Sequence, residues 1–268
     1  MLRIARYLAS HREEALVASA AELAARLNTS DASVVRTAKA LGFSGLDALR
    51  RSLAEELRVD LGPAGRVART LEEVRGDAAD VFEATLDLHL ESLVALRKSV
   101  SSSQFQDAVD RIGRADRIAI FGIGPSSAMS RYFAIQIARF GLDSFAITDT
   151  GLLLADGLLR LRKRDLLVVM AYSRIYPELR ALFDRADRLK LPVILITDTL
   201  AGKAGKHCDL VLQIPRGRTD RFSLHTATLG FLEALLVGIA AKRPRETIEC
   251  LTQLNRLRTA VAGRSSIL

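Results

Sequence analysis

The run Ile118-Ala119-Ile120-Phe121-Gly122-Ile123-Gly124-Pro125-Ser126-Ser127 brings two glycines and two hydroxyls to the end of an apolar segment. It reads as a buried strand that enters a tight turn and then opens a helix. Such a junction presents backbone N–H groups and the positive end of a helix dipole, both of which favour an anion such as phosphate. Gly122 and Gly124 permit close approach of the main chain, and Ser126 and Ser127 can donate to an anion. A second polar loop, Ala171 to Glu178, follows another apolar run. Ser173 adds a hydroxyl there, Arg174 a forked donor for phosphate or carboxylate, and Tyr176 a hydroxyl or a stacking face. Glu178 can touch a ligand or complement a helix dipole. His225, at the start of a later helix, can bond a sugar hydroxyl, act as a base near neutral pH, or cap that helix.

A different chemistry is written nearer the N-terminus. Ser19-Ala20-Ala21-Glu22 is a capping box that opens a helix with Leu23, Ala24 and Leu27 on one face. Thr29-Ser30-Asp31 can cap a second helix, Ala32 to Leu41, and Gly42 supplies its left-handed stop. Two short helices joined by Asn28-Thr29-Ser30 have the geometry of a helix-turn-helix, whose second helix enters the major groove. Ser33, Arg36, Thr37 and Lys39 are placed across the exposed side of that helix, and Val34, Val35, Ala38 and Leu41 across the buried side. Arg36 suits a guanine edge or a phosphate, and Lys39, Arg50 and Arg51 suit phosphates. The plain alternative is a helical bundle with a solvated polar face.

The elements that must position these groups change period along the chain. Leu2 to His11 reads as a short helix with Leu2, Ala5 and Leu8 on one face. Leu46 to Leu57, Asp77 to Ser99 (Val81, Leu86, Leu90, Leu93, Leu96) and Phe105 to Gly113 read as further helices. Residues 59–76 mix charge with Gly62-Pro63-Ala64-Gly65 and read as a linker, although Leu71 and Val74 can start a helix. Beyond them, short apolar runs at 117–121, 144–147, 166–170, 193–196 and 210–214 alternate with helical stretches. That pattern predicts a parallel sheet covered on both faces. Leu224–Ala241 and Arg245–Val261 close the chain as helices.

The 268 residues suffice for two domains. The net charge of +8 favours anionic partners, yet the first 75 residues hold 12 Lys/Arg against 10 Asp/Glu, so most of the excess lies downstream. Trp is absent and aromatics are 5 %, which disfavours stacking on single strands. Cys208 and Cys250 form no metal-ligand spacing, so neither a zinc site nor any other metal is expected. No apolar run has the length of a membrane span and no secretion signal is visible, so a cytoplasmic location is expected.

The N-terminal motifs, Ala21-Glu22-Leu23-Ala24, Ser30 to Arg36 and Leu41-Gly42-Phe43-Ser44-Gly45-Leu46, resemble the DNA-reading domain of the MurR/RpiR family of bacterial regulators over residues 1–58. Ser33 and Thr37 stand where that family usually has Thr and an aromatic. The part from Phe82 to Ala262 is similar to a sugar isomerase (SIS) domain. The resemblance implies domains at 1–58, a linker at 59–76 and a domain at 77–268. The fold class implied is α/β: an all-helical helix-turn-helix domain, then a three-layer α/β/α sandwich with a five-stranded parallel sheet. It implies a double-stranded DNA operator, a phosphosugar or related anion as small-molecule effector, and a homodimer or homotetramer. By that likeness Gly122, Gly124, Ser126 and Ser127 form the first effector loop, and Ser173, Arg174, Tyr176 and Glu178 the second. Arg174 stands in place of a flexible Gly, and Tyr176 in place of a phosphate-binding Thr. Neither a catalytic residue nor a cofactor is expected. An aldose–ketose isomerase using Glu178 and His225 is the main alternative. A dinucleotide oxidoreductase on the partial GxGxxS pattern and a purely structural assembly protein are weaker ones.

Overall fold

A computed structural model describes residues 2–60, 62–74, 76–218 and 221–262. The chain divides into two compact units, Met1–Phe82 with Arg218–Ser223, and Glu83–Gly217 with Leu224–Leu268.

The first unit is helical: α1 (Leu2–Ser10), α2 (Arg12–Val17), α3 (Ala20–Arg26), α4 (Asp31–Ala40), α5 (Leu46–Asp60) and α6 (Gly62–Glu73). Its core joins Ile4, Leu8, Ala15, Leu23, Ala24, Val34, Ala38, Leu49 and Leu53. The capping box forms as expected, with Ser19 Oγ accepting from Glu22 N–H and Glu22 accepting from Ser19 N–H. The chain then turns at Asn28 with φ 45°. Asn28 N–H donates to Ala25 O and Thr29 N–H to Ala24 O, which closes α3 with paired end bonds. Ser30 Oγ accepts from Ser33 N–H and starts α4. Gly42 at φ 92° ends α4 by the same device, with Gly42 N–H on Lys39 O and Phe43 N–H on Ala38 O.

Two expectations about this unit need correction, and one helix was not foreseen. The face of α1 that turns inward carries Ile4 and Leu8, while Leu2 is exposed. A further helix, α2, follows it, and its Ala15 is fully buried. The stretch read as a linker contains α6, none of whose described residues is buried; Leu61 and Arg75 lie outside the described residues. Glu73 pairs there with Arg218 and Arg221, and Thr70 Oγ1 accepts from Phe222 N–H at 2.8 Å.

After α7 (Ala78–Ser99) come α8 (Ser102–Arg114), β1 (Arg117–Phe121), α9 (Pro125–Arg139), β2 (Ser144–Ile147) and α10 (Leu153–Leu159). Next are β3 (Asp165–Met170), α11 (Pro177–Leu189), β4 (Val193–Thr197), α12 (Ala201–Ala204) and a 3-10 turn at Gly205–His207. Then β5 (Leu210–Gln213), α13 (Thr226–Lys242) and α14 (Pro244–Ala262) complete the chain. The sheet is parallel throughout, in the order β2-β1-β3-β4-β5. Side chains alternate across it. Ile118, Ile120, Val168, Ile194 and Ile196 pack against Val109, Phe133, Ile137, Phe231 and Leu235 on one face. Ala119, Phe121, Leu167, Val169 and Leu195 pack against Leu154, Leu179, Leu182 and Phe183 on the other. Each such Leu, Ile or Phe contributes about 1.5–3 kcal/mol by leaving water, which is why all six residues of β3 are buried and apolar save Asp165.

The chain leaves β1 toward β2 on one side, whereas β3 lies on the other side of β1 and leads on to β4 and β5. Connections therefore diverge between β1 and β3, and ligands bind beyond the carboxyl ends at such a point in sheets of this order. Both loops singled out in the sequence follow those two strands.

Candidate functional site

The helix-turn-helix presents fewer reading groups than its sequence promised. Arg36, Lys39 and Arg51 are exposed and Ser33 is half-buried. Arg36 Nη2 donates to Ser33 Oγ at 3.1 Å, and Ser33 Oγ lies 3.0 Å from Ser30 Oγ, so the arginine is pre-oriented over the first turn of α4. Thr37 is corrected: it is 2 % exposed and its hydroxyl donates to Ser33 O at 2.8 Å. It follows Val34 by three residues and so shares the apolar face. Arg50 is also corrected, from phosphate contact to brace. Its Nε donates to Ala15 O at 3.2 Å, Nη2 bonds Ala18 O, and Nη1 pairs with Asp47 at 3.2 Å. This arginine fastens α5 to the end of α2.

In the second unit, the loops after β1 and β3 stand at the carboxyl edge of the sheet. Gly124, at φ 58° and ψ −136°, starts α9, and Pro125 occupies its first helical position. Gly122 is fixed by space: a Cβ would lie 2.3 Å from Ser130 Oγ and 2.7 Å from Ser126 O. The expected ring of free amides is smaller than the sequence implied. Pro125 has no N–H, and Ser127 N–H donates to Gly124 O at 3.0 Å. Ser126 is buried and Ser127 half-buried, so the hydroxyls and the helix dipole carry what anion affinity the loop has.

After β3, the left-handed residue is Ser173 (φ 65°), one position before the Arg174 that stands in place of a flexible Gly. Arg174 N–H donates to Tyr172 O at 2.7 Å, which makes Tyr172–Arg174 a γ-turn centred on Ser173. Ser173 N–H points to Asp198 Oδ1 at 3.4 Å, beyond β4. Strain of this kind, of order 1–3 kcal/mol, persists where surrounding structure enforces it and gathers at ligand sites. Arg174 and Tyr176 are exposed and Glu178 is half-buried in the first turn of α11. Thr197 is structural: its Oγ1 accepts from Leu200 N–H at 3.0 Å.

A cluster that the sequence reading did not assemble surrounds His225. Arg216, three residues past β5, donates from Nη2 to His225 Nε2 at 3.1 Å. Its guanidinium also lies 4.3 Å from the centre of the Tyr172 ring. That ring meets the imidazole edge-to-face at 5.8 Å, and Tyr172 Oη bonds Thr228 Oγ1 at 3.0 Å. Burial raises the Tyr172 pKa to about 12. Burial, and then the Arg216 charge, lower that of His225 to about 4. The imidazole is therefore neutral at pH 7. Because Nε2 accepts from an arginine, the proton sits on Nδ1, and that buried N–H has no protein partner. A buried unpaired donor costs about 1–3 kcal/mol, which an acceptor on a ligand or a water recovers. Thr226, next in the chain, hydrogen-bonds His89 of α7. A lone arginine between Pro215 and Gly217, just past a strand end, was the available signal for this cluster.

Ser126, Ser127, Ser173, Arg174, Tyr176, Glu178, Arg216 and His225 thus stand on the loops and first helical turns that follow β1, β3 and β5, at one edge of one sheet. Among the described residues no group of His, Cys, Asp and Glu is placed to hold a metal ion, and no helix is long and apolar enough to cross a membrane.

Comparison with known proteins agrees with this division. Residues 2–59 match the helix-turn-helix domain of the rpiR family, and residues 111–238 match the SIS domain. The bifunctional protein glk of Burkholderia thailandensis is 26 % identical over 258 residues, 92 % of this chain. The chain spans only 38 % of that relative's length. The uncharacterised HTH-type transcriptional regulator YbbH of Bacillus subtilis is 23 % identical over 257 residues, covering 91 % of this chain and 87 % of YbbH. Among solved structures, the NanR protein of Vibrio vulnificus, complexed with ManNAc-6P, shares the fold with a TM-score of 0.64. It is 21 % identical, over 96 % of this chain and 92 % of NanR. Domain order and fold agree, and the chain joins a helix-turn-helix domain of the rpiR family to a SIS domain.

Proposed function

We propose that this protein is a cytoplasmic regulator whose α4 reads a duplex operator, and whose SIS domain senses a phosphosugar or a related anionic metabolite. The observation that carries the sensing is the Arg216–His225 pair. It sets a cation and a buried, unpartnered N–H beside Tyr172, at the sheet edge that also holds the serine hydroxyls. Arg216 and Arg174 favour an anion; Ser126, Ser127 and His225 Nδ1 suit sugar hydroxyls or phosphate oxygens. The ligand present in the NanR complex is of this class. Arg36 and Ser33 are the base-facing groups of the reader, and Lys39 and Arg51 its phosphate contacts.

A ligand changes operator affinity only by binding one arrangement of the reader more tightly than another. Two covalent paths leave the sensing domain. One is α7, which carries His89 against Thr226. The other is the segment Arg218–Ser223, which belongs to the N-terminal unit and is held there by Glu73. Leu224 and His225 follow it directly. We place the protein as a homodimer or homotetramer through the apolar residues that α7 leaves exposed.

An isomerase is the second reading, and the imidazole speaks against it. A base must offer a lone pair to a sugar C–H or O–H, and the His225 lone pair is taken by Arg216. The test is a thermal-shift screen with sugar phosphates and acidic metabolites, run on wild type and Arg216→Gln. A ligand at a hundred times its Kd stabilises the native state by about 2.7 kcal/mol. A shift in wild type that disappears in the variant supports the site. A shift retained in the variant moves the ligand elsewhere, and turnover of any sugar phosphate restores the isomerase.

A further inference from the structure

The amino edge of the sheet, opposite the sensing loops, carries a second cationic surface. There a hollow of about 420 Å³ is lined by Arg111, Arg114, Ala115, Asp116, Arg164, Leu166 and Pro192. Between α10 and β3 the chain reads Arg160-Leu161-Arg162-Lys163-Arg164-Asp165, and Arg162, Lys163 and Arg164 are all exposed. This turn is tightly built. Asp165 is 3 % exposed; its Oδ2 accepts from Arg162 N–H at 2.8 Å and from Arg117 Nη2 at 2.7 Å, and its Oδ1 accepts from Arg117 Nε at 2.9 Å. Asp165 N–H donates to Arg162 O at 3.2 Å, closing the turn. The one carboxylate inside the turn is thus satisfied by Arg117, and the three outer cations are left to solvent. Among the described residues no carboxylate pairs with Arg162, Lys163 or Arg164.

Arg164 takes φ 77° at the third position of this turn, where glycine or asparagine is the unstrained choice. A charged side chain held at that backbone cost projects from the rim of the hollow. Arg114, at the end of α8, is exposed on the same rim, while Arg111 is drawn toward Asp107 at 2.8 Å. Asp116 is the opposing carboxylate of the hollow, and Asp110 is held by Lys242 at 3.2 Å.

We infer that this edge contacts the phosphate backbone of duplex DNA outside the operator bases read by α4. Exposed cations strung along a turn, around a shallow hollow, track a backbone; a small ligand needs converging buried donors, and the rim supplies none. The absence of Trp and the lack of aromatic rings in the hollow favour duplex over stacked single strands. The charge distribution agrees, because 27 Lys/Arg against 21 Asp/Glu lie beyond residue 75.

The test uses the full chain and a long duplex lacking the operator. The slope of log Kd against log salt is measured for wild type, for R162Q/K163Q/R164Q, and for R162K/R164K. Each lost phosphate contact lowers the slope by about 0.9, so the neutral variant is expected to fall by about 2 to 3 and the lysine variant to match wild type. Equal melting temperatures show that the fold is kept; should the neutral variant melt early, K163Q and R164G, which relieves the strained φ, carry the test one charge at a time. An unchanged slope overturns the proposal. So does protection of wild type, but not the variant, by inorganic pyrophosphate with no change in DNA slope, which would assign the hollow to a compact anion.

Discussion

Two arginines of the reader have opposite jobs, and the difference is measurable. Arg50 satisfies the carbonyls of Ala15 and Ala18 at the end of α2. Arg50→Ala leaves both without that donor, and a loss of about 1–3 kcal/mol in the stability of the helical unit is expected. Arg36 is exposed and its guanidinium donates to Ser33 Oγ alone among the described residues, so Arg36→Ala is expected to leave the melting temperature unchanged. It should weaken specific operator binding by about 1–3 kcal/mol if the guanidinium is bidentate to a guanine. Calorimetry and gel-shift titration of the two variants separate the roles; operator affinity retained in Arg36→Ala removes it from the readout. His225 has a pH signature of its own. Its folded pKa is about 4 and the ordinary value 6.5. Between these the unfolded chain holds a proton that the folded chain refuses, so the stabilisation is whole above pH 6.5 and is lost as pH falls toward 4. Denaturant midpoints at pH 7 and pH 5 should differ more in wild type than in His225→Gln; equal losses would refute the depressed imidazole.

At the scale of elements, the β1–α9 junction and the α3–α4 turn are the joints on which both sites depend. Gly122→Ala puts a methyl against Ser130 Oγ and Ser126 O, and the second is backbone that cannot swing aside. The first turn of α9 must shift, at a cost of about 1–3 kcal/mol, and the serine hydroxyls shift with it. A folded Gly122→Ala protein that still shows full ligand-induced stabilisation would place the effector away from this loop. Asn28 holds the left-handed residue between the reading helices. Asn28→Ala is expected to cost about 1–2 kcal/mol and Asn28→Gly much less, as read by thermal melts. These joints were legible in the sequence because their signals are local: a capping box, an Asn or Gly at a helix end, a Gly-Pro-Ser-Ser turn after an apolar run. The five strands were legible because a parallel strand covered on both faces is nearly continuous in apolar residues, with polar ones such as Arg117, Ser144, Asp165 and Gln213 confined to its ends. Helices α2 and α6 were not, since six residues around Ala15, or a Gly-Pro-Ala-Gly start, are decided by packing rather than by period. The jobs of Arg50 and Thr37 were hidden with them. Arg50 answers to carbonyls of the unread α2, and Thr37 sits one turn from Val34 on the inward face. Arg216 was hidden for another reason: its partners, Tyr172 and His225, lie on other elements.

For the whole molecule, the proposed assembly turns on the apolar stripe of α7. Leu86, Leu90 and Val94 are 40 %, 59 % and 54 % exposed, and Ile248 and Leu257 of α14 are 64 % and 56 % exposed. Large side chains exposed at helical spacing mark an interaction surface. In the proposed function the occupant is a second copy, because dimeric helix-turn-helix readers bind paired half-sites about one DNA turn apart. Leu90→Glu is therefore expected to convert the assembly to monomer in sedimentation. Operator binding should then lose its dependence on half-site spacing, while Arg36 keeps its effect on a single half-site. Coupling adds a stricter demand. If a sugar phosphate changes operator affinity by some factor, the operator must change sugar-phosphate affinity by that same factor, whatever the path between them. Titrating the effector against protein alone and against the protein–operator complex measures one side of this equality, and titrating operator with and without effector measures the other. In Glu73→Gln, which removes the ion pairs from Glu73 to Arg218 and Arg221, both factors should shrink together toward one with the two separate affinities little changed. Factors that stay at the wild-type value in this variant would remove the Arg218–Ser223 segment from the path and leave α7 to carry the signal.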